Sequence, residues 1–229
     1  MTTHKGSGIR PSGYPVLLDL AGRACVVVGG GAVAEHKVLG LLEAGARVTI
    51  ISLTLTPMLE ALAQTGTIAV RKQVYEATVF EGMRPLLVFA ATDSPDVNRQ
   101  IADDARAVGA LVDTVDASAK NDFSSMSVIR RGFLIIAFST SGASPALAAR
   151  LRAVLEGVVG EEYAVLLDWL AATRPLAKAQ MMDEAQRRAL WAAILASPIL
   201  SDLKSGNTGR ARAQFDRILN EYGLRGAAE

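Results

Sequence analysis

An α/β fold is predicted for this chain of 229 residues by three observations. Short apolar runs, Ala24 to Val28, Val48 to Ile51 and Leu86 to Ala90, have the length of buried strands. Between them lie segments whose apolar residues recur at helical spacing, and strands alternating with helices build a parallel sheet covered on both faces. A glycine cluster, Gly29-Gly30-Gly31, separates the first run from the first helix.

The elements follow in order. After Ala24 to Val28, the stretch Gly29-Gly30-Gly31-Ala32-Val33-Ala34 reads G-x-G-x-x-A. Glycines at a strand-to-helix turn let backbone approach a pyrophosphate, whose charge then meets helix amides that lack partners. Ala34 is the small residue that close helix–strand packing needs. Val33, Val38, Leu41 and Leu42 give the helix its apolar spacing, Glu43-Ala44-Gly45-Ala46 ends it, and Val48 to Ile51 is the second strand. This βαβ unit predicts a Rossmann-like, dinucleotide-binding sheet, the alternative being a glycine-rich turn in another kind of α/β protein. Thr56-Pro57 starts a short helix to Gln64, Thr67 to Lys72 is the third strand and Leu86 to Ala90 the fourth. Ser94-Pro95 caps a helix carrying Val97, Ile101 and Ala105, and Ala110-Leu111-Val112 begins a fifth strand that runs out at Val115-Asp116.

The pattern then changes. Ser125 to Arg130 and Phe133 to Ser139 are strand-like runs joined by Arg131-Gly132 with no helix between, which predicts an antiparallel β-hairpin. Ser144-Pro145 opens a helix bearing Leu147, Leu151, Val154 and Leu155. Helices are expected from Glu161 to Thr173, Asp183 to Ala196 and Thr208 to Tyr222. The expected division is a mobile leader (1–13), a nucleotide-binding domain (14–117), a second region (118–156) and a helical C-terminal domain (157–229).

The 24 basic and 23 acidic side chains nearly cancel, so no global field draws nucleic acid or an anionic membrane. Cys25 lies in the first strand and reads as a small buried core residue. With His4 and His36 as the only histidines, no metal site with ligand spacing is expected. Met1 to Gly13 lacks the apolar core of a signal peptide, and no run approaches the ~18 apolar residues of a membrane helix. A cytoplasmic location is expected.

In an open parallel sheet, ligands bind beyond the carboxyl ends of the strands, which selects Gly29 to Val33, Ser52 to Thr54, Ala91 to Asp93 with Thr92 between them, and Asp116. Dinucleotide folds usually carry an acidic residue after the second strand; here Ser52 stands there, leaving its hydroxyl and the backbone of Leu53 and Thr54 for a ribose. Asp116 is placed to take a proton from a substrate stacked on a nicotinamide. Asp113, Asp93 and Asp122 compete with it and read as turn or capping residues, as Asp116 itself can. Between Ser118 and Arg152, Lys120, Arg130, Arg131, Arg150 and Arg152 face Asp122 alone, a balance that suits a polyanionic small molecule or a solvated surface. The turn Ser139-Thr140-Ser141-Gly142-Ala143-Ser144 adds hydroxyls.

Taken together, Tyr14-Pro15 with Leu17 to Leu20, the glycine stretch continued through Glu35-His36-Lys37, Leu42 to Ala46, Ala90 to Asp93, Val115 to Ala117 and Ser139 to Pro145 resemble the precorrin-2 dehydrogenase family, the N-terminal module of sirohaem synthase. The likeness covers about residues 14 to 156 firmly and the helical tail loosely. It implies a Rossmann-like domain, a small dimerisation region containing the hairpin and a helical C-terminal domain, assembled as a homodimer. It further implies NAD-dependent oxidation of precorrin-2 to sirohydrochlorin, with many members also inserting Fe²⁺. By position, Asp116 matches the family's essential aspartate, Ala32, Val33, Leu53 and Thr54 match nucleotide contacts, and Thr140 falls where relatives have a hydroxyl beside the macrocycle. Ser141, Lys120, Arg131 and Arg150 join it as candidates for the substrate's carboxylates. Phe123-Ser124-Ser125-Met126-Ser127 departs from the apolar, proline-ended segment of relatives. Two other readings stay open: an NAD-sensing module without catalysis, and an NAD-linked dehydrogenase of a smaller acid.

Overall fold

The computed structural model describes residues 13–115, 121–180 and 183–224. It divides into two compact units, Met1–Ser125 and Met126–Glu229.

In the first unit, β1 (Ala24–Val28), α1 (Ala32–Glu43), β2 (Arg47–Ile51), α2 (Pro57–Gln64), β3 (Ala69–Arg71), β4 (Leu87–Ala90), α3 (Pro95–Ala107) and β5 (Leu111–Thr114) follow one another, with a 3-10 turn at Ala77–Phe80 before β4. The strands lie in the order β3-β2-β1-β4-β5 and every pairing is parallel. Both faces are covered, which is why the strands read as continuous apolar runs. Cys25, Val27, Ile50 and Phe89 point to one side, where Ala34, Val38, Leu41 and Leu59 pack on them. Val26, Val28, Val88 and Ala90 face Ile101, Ala102 and Ala105 of α3 on the other. Cys25 is fully buried, and burial pushes its thiol pKa up. Helix entry follows the anticipated chemistry: Thr56 and Ser94 accept hydrogen bonds from Leu59 and Val97, each followed by a first-turn proline. The third strand is shorter than Thr67 to Lys72, as befits an edge strand.

In the second unit, β6 (Ser127–Arg131) and β7 (Leu134–Phe138) form the antiparallel hairpin, with Arg131 opposite Leu134. The turn is Gly132-Phe133, one residue later than the sequence suggested. Gly132 has φ +54°, so it takes the first central position of a type II′ turn and Arg131 stays in the strand. Five helices follow: α4 (Pro145–Val158), α5 (Glu162–Gln180), α6 (Glu184–Ala196), α7 (Ile199–Lys204) and α8 (Thr208–Glu221). Leu166, Ala177, Leu190, Ile194, Ile199 and Phe215 lie in a core shared by α5 to α8. Two expectations need correction. The first of these helical segments does not stop at Thr173 before the proline; it continues through Pro175, because burial of Ala177 holds its last turns against the core despite the missing amide. α7 lies between Ala196 and Thr208, where no helix was expected. Ile199 and Leu203, one helical turn apart, bury it. Among the described residues no helix is long and apolar enough to cross a membrane.

Candidate functional site

The order of the sheet reverses between β1 and β4, the switch point beyond whose carboxyl ends open parallel sheets bind their ligands. The three glycines after β1 do different work there. Gly29 has φ +119°, and a Cβ on it would lie 2.2 Å from the Ala91 carbonyl oxygen, so its bareness lets the chain leaving β4 pass. A Cβ on Gly30 would lie 2.0 Å from the Thr54 carbonyl oxygen at the exit of β2, where the Thr56 amide bonds the Gly30 carbonyl at 3.0 Å. Gly31 alone faces open space, with nothing within 4 Å of its added Cβ. It is also the N-cap of α1 and supplies no side-chain hydrogen bond, unlike Thr56, Ser94, Ser144 and Asp183 at other helix starts. The first helical bond there joins the Glu35 amide to the Gly31 carbonyl at 2.9 Å, so the amides of Ala32, Val33 and Ala34 precede it. An open, uncapped helix start at the switch point fits the pyrophosphate of a dinucleotide.

At the exit of β2, the Ser52 hydroxyl donates to the Thr54 carbonyl at 2.8 Å, which makes Ser52 a holder of the turn. Leu53, exposed, and the backbone beside it are presented outward. The Thr56 hydroxyl donates to the Glu35 carboxylate and ties this turn to α1.

At the exit of β4, Thr92 is clamped by Asn98 of α3. The Asn98 oxygen accepts from the Thr92 amide at 3.0 Å and its hydroxyl at 2.7 Å, while the Asn98 amide donates to the Thr92 carbonyl at 3.0 Å. Asn98 is fully buried, and sequence reading missed it. A polar residue four positions after the Ser94 cap, on the face otherwise apolar, was the available signal.

The exit of β5 corrects another reading. Asp113 is no turn residue; it sits within β5, buried, and its carboxylate takes the Lys37 ammonium of α1 at 2.8 Å. Lys37 also donates to Ser125 at 2.8 Å and stands over the Phe89 ring, 5.1 Å from its centroid. Asn121 donates to the other Asp113 oxygen at 2.9 Å and accepts from the Thr114 amide and hydroxyl at 3.0 and 2.9 Å. Asp122 accepts from the Val112 amide at 3.0 Å and pairs with Arg106 at 3.1 Å. Asp116 and Lys120 lie outside the described residues. Lys37 entered the sequence reading only as the end of the stretch that carries the resemblance, and Asn121 not at all, because a lysine on a helix and an asparagine in a loop are ordinary there.

In the second unit, the Thr140 hydroxyl and Ser144 are mutually bonded at 3.3 Å ahead of α4. Ser141 has φ +52°, the one left-handed non-glycine among the described residues, a strained conformation of the kind that marks ligand loops. Arg131 donates to the Val159 carbonyl at 3.1 Å and pairs with Glu161 at 3.3 Å, so its guanidinium braces the unit. Arg150 is exposed on α4, and Arg152 pairs with Glu156 at 2.9 Å.

Comparison with known proteins adds two family matches. Residues 16–127 match a family described as "Putative NAD(P)-binding", and residues 162–219 match the sirohaem synthase dimerisation region. The chain is 35% identical over 204 residues to the sirohaem synthase of Chromobacterium violaceum, covering 89% of this chain and 43% of that protein. It is 38% identical over 184 residues to the sirohaem synthase of Methylococcus capsulatus, covering 80% and 38%. The chain thus spans less than half the length of these relatives. Among solved structures, SirC, a precorrin-2 dehydrogenase, shares the fold with a TM-score of 0.72 at 24% identity, over 90% of this chain and 99% of that one.

Proposed function

We propose that this chain, which resembles the precorrin-2 dehydrogenase family and the N-terminal module of sirohaem synthase, oxidises precorrin-2 to sirohydrochlorin with NAD as hydride acceptor. The observation that carries the reading is the open, uncapped start of α1 at Gly31, set at the switch between β1 and β4. When bound, NAD supplies an acceptor for a hydride. The remaining work falls to the chain. The amides of Ala32 and Val33 offset pyrophosphate charge. Leu53 and Thr54 meet the ribose with backbone, in a turn that Ser52 holds closed. Asn98 fixes Thr92 at the nicotinamide side of the crevice. Asp116, two residues past the end of β5, takes the proton that must leave when the macrocycle gives up a hydride.

Thr140, Ser141, Lys120, Arg131 and Arg150 are the proposed contacts for the carboxylates of the tetrapyrrole. Arg150, being exposed, carries more of this role than Arg131, whose guanidinium is engaged within its own unit. The working form is proposed to be a homodimer. Leu147, Leu151, Val154 and Val158 are 48%, 40%, 54% and 58% exposed at heptad-like spacing along α4, a stripe that a second copy would cover.

The test is anaerobic incubation with precorrin-2 and NAD⁺, following NADH formation and the tetrapyrrole spectrum together. Asp116→Asn is expected to lower kcat by about 10²-fold or more, the usual scale for removing a general base. Tight NAD binding without turnover would favour a sensing module, and turnover of small acids alone a different dehydrogenase. Supplying sirohydrochlorin and Fe²⁺ without oxygen, and comparing insertion with the spontaneous rate, decides whether the module also acts as a chelatase.

A further inference from the structure

Resting on the cofactor seat proposed above, we propose that Asn98 and Thr56 are positioning residues that fix the two halves of that seat separately, Asn98 the nicotinamide side and Thr56 the adenosine side. In a sheet of this order the adenosine ribose meets the exit of β2 and the pyrophosphate lies at the switch point, so the nicotinamide riboside falls over the exit of β4. Each exit is a short turn held in shape by a side chain. At β4 the holder is Asn98, fully buried on α3. Its oxygen takes the Thr92 amide and hydroxyl at 3.0 and 2.7 Å, and its amide donates to the Thr92 carbonyl at 3.0 Å. The Ser94 amide adds a bond to the Thr92 hydroxyl at 3.3 Å. With the polar groups of Thr92 engaged, the turn leaves for a ligand the Ala91 carbonyl, to which nothing donates among the described residues.

At β2 the holder is Thr56. Its amide donates to the Gly30 carbonyl at 3.0 Å, and its hydroxyl donates to the Glu35 carboxylate and accepts from the Leu59 amide at 3.3 Å. One residue thus joins the β2 exit to the glycine turn, to α1 and to α2, and engages the acid in the first turn of α1. Ser52 closes the same turn onto the Thr54 carbonyl at 2.8 Å, while the amides of Leu53 and Thr54 meet no acceptor among the described residues and are left for the ribose. The two clamps share no residue. α1 and α2 pack on one face of the sheet and α3 on the other, and β1 lies between β2 and β4. A change in one clamp therefore leaves the other half of the seat in place. A turn held in its bound shape beforehand does not have to be ordered by the ligand, which strengthens binding of the half it touches.

The experiment uses the full chain and two ligands: NAD⁺, and ADP, which keeps the adenosine and pyrophosphate but lacks the nicotinamide riboside. Affinities are read by calorimetry, well below the melting temperature of each variant. Asn98→Ala is expected to weaken NAD⁺ by roughly 3- to 10-fold, the scale of ordering a side chain or a short turn, with ADP within about twofold of wild type. Thr92→Val, which loses only the hydroxyl, should show the same pattern at smaller amplitude, and it decides the matter if Asn98→Ala fails to fold. Thr56→Val should weaken both ligands alike, again by roughly 3- to 10-fold. Thr92→Ser and Thr56→Ser keep the hydroxyls and should bind as wild type does. In the double variant Asn98→Ala/Thr56→Val the two losses for NAD⁺ should multiply, because the clamps are independent. Asn98→Ala weakening ADP as much as NAD⁺, or weakening neither, would overturn its assigned role, and Thr56→Val that spares ADP would overturn the other. Wild-type protein that binds NAD⁺ but not ADP would overturn the division of the seat into halves. Wild-type protein that binds no NAD⁺ would instead overturn the cofactor reading on which the division rests.

Discussion

At the scale of single residues, the glycine cluster separates what the protein needs for itself from what it leaves for a ligand. Gly29 combines a left-handed φ with contact against the Ala91 carbonyl, so Gly29→Ala meets both backbone strain and overpacking and should destabilise the protein by about 3 kcal/mol or more. Gly31 has an extended backbone that alanine adopts and open space beyond it. Gly31→Ala should therefore melt close to wild type yet bind NAD at least about tenfold more weakly, since the methyl occupies the room for close backbone approach. Thermal unfolding and an NAD titration on the two variants check this contrast. Cys25 offers a second prediction. Burial raises its thiol above the ordinary 9.0, so an unfolded chain releases that proton at lower pH than the folded one. Its contribution to stability is complete below about pH 9 and fades as pH rises beyond it. Tyr75 acts in the same direction at still higher pH, being half-buried and donating to Asp104 at 2.8 Å. Denaturant midpoints should fall on the alkaline side, and the native thiol should resist alkylation until the protein unfolds.

At the scale of elements, helix starts sort by whether a side chain closes them. Ser94 caps α3, which carries the Asn98 clamp, so Ser94→Ala should cost about 1 kcal/mol of stability and loosen Thr92 as well. A denaturation curve reads the first effect and faster amide exchange around Thr92 the second. α4 differs in another way: none of its residues is buried, and its apolar stripe faces outward. Leu151→Glu should shift the protein toward monomer in sedimentation or light scattering, while leaving its helical circular dichroism intact, because a charge in a covered stripe opposes association more than folding. A monomeric wild type would refute the assignment of this face.

At the scale of the whole molecule, each unit carries its own core, and the proposed cofactor seat is built from residues of the first. NAD at about 100 times its Kd should stabilise the native state by about 2.7 kcal/mol. Hydrogen exchange should slow at β1, β4 and the start of α1, and a result without protection there would move the seat elsewhere. Much of this organisation was legible beforehand. Apolar runs announced β1, β2 and β4, Ser-Pro and Thr-Pro pairs announced the starts of α2, α3 and α4, and the glycine stretch announced the crevice, because each is a local matter of periodicity and backbone sterics. α7 and the passage of α5 through Pro175 were not, since burial of Ile199 and Ala177 overrides local preference there. Nor could spacing reveal that Lys37 meets Asp113, 76 residues away, or that Asn98 grips Thr92. Local propensity and hydrophobic pattern determined most of the elements and the place of the glycine turn between β1 and α1. The partners of buried polar groups were decided only when distant strands and helices closed over them, because a hydrogen bond or ion pair depends on where atoms meet in space and not on their distance along the chain.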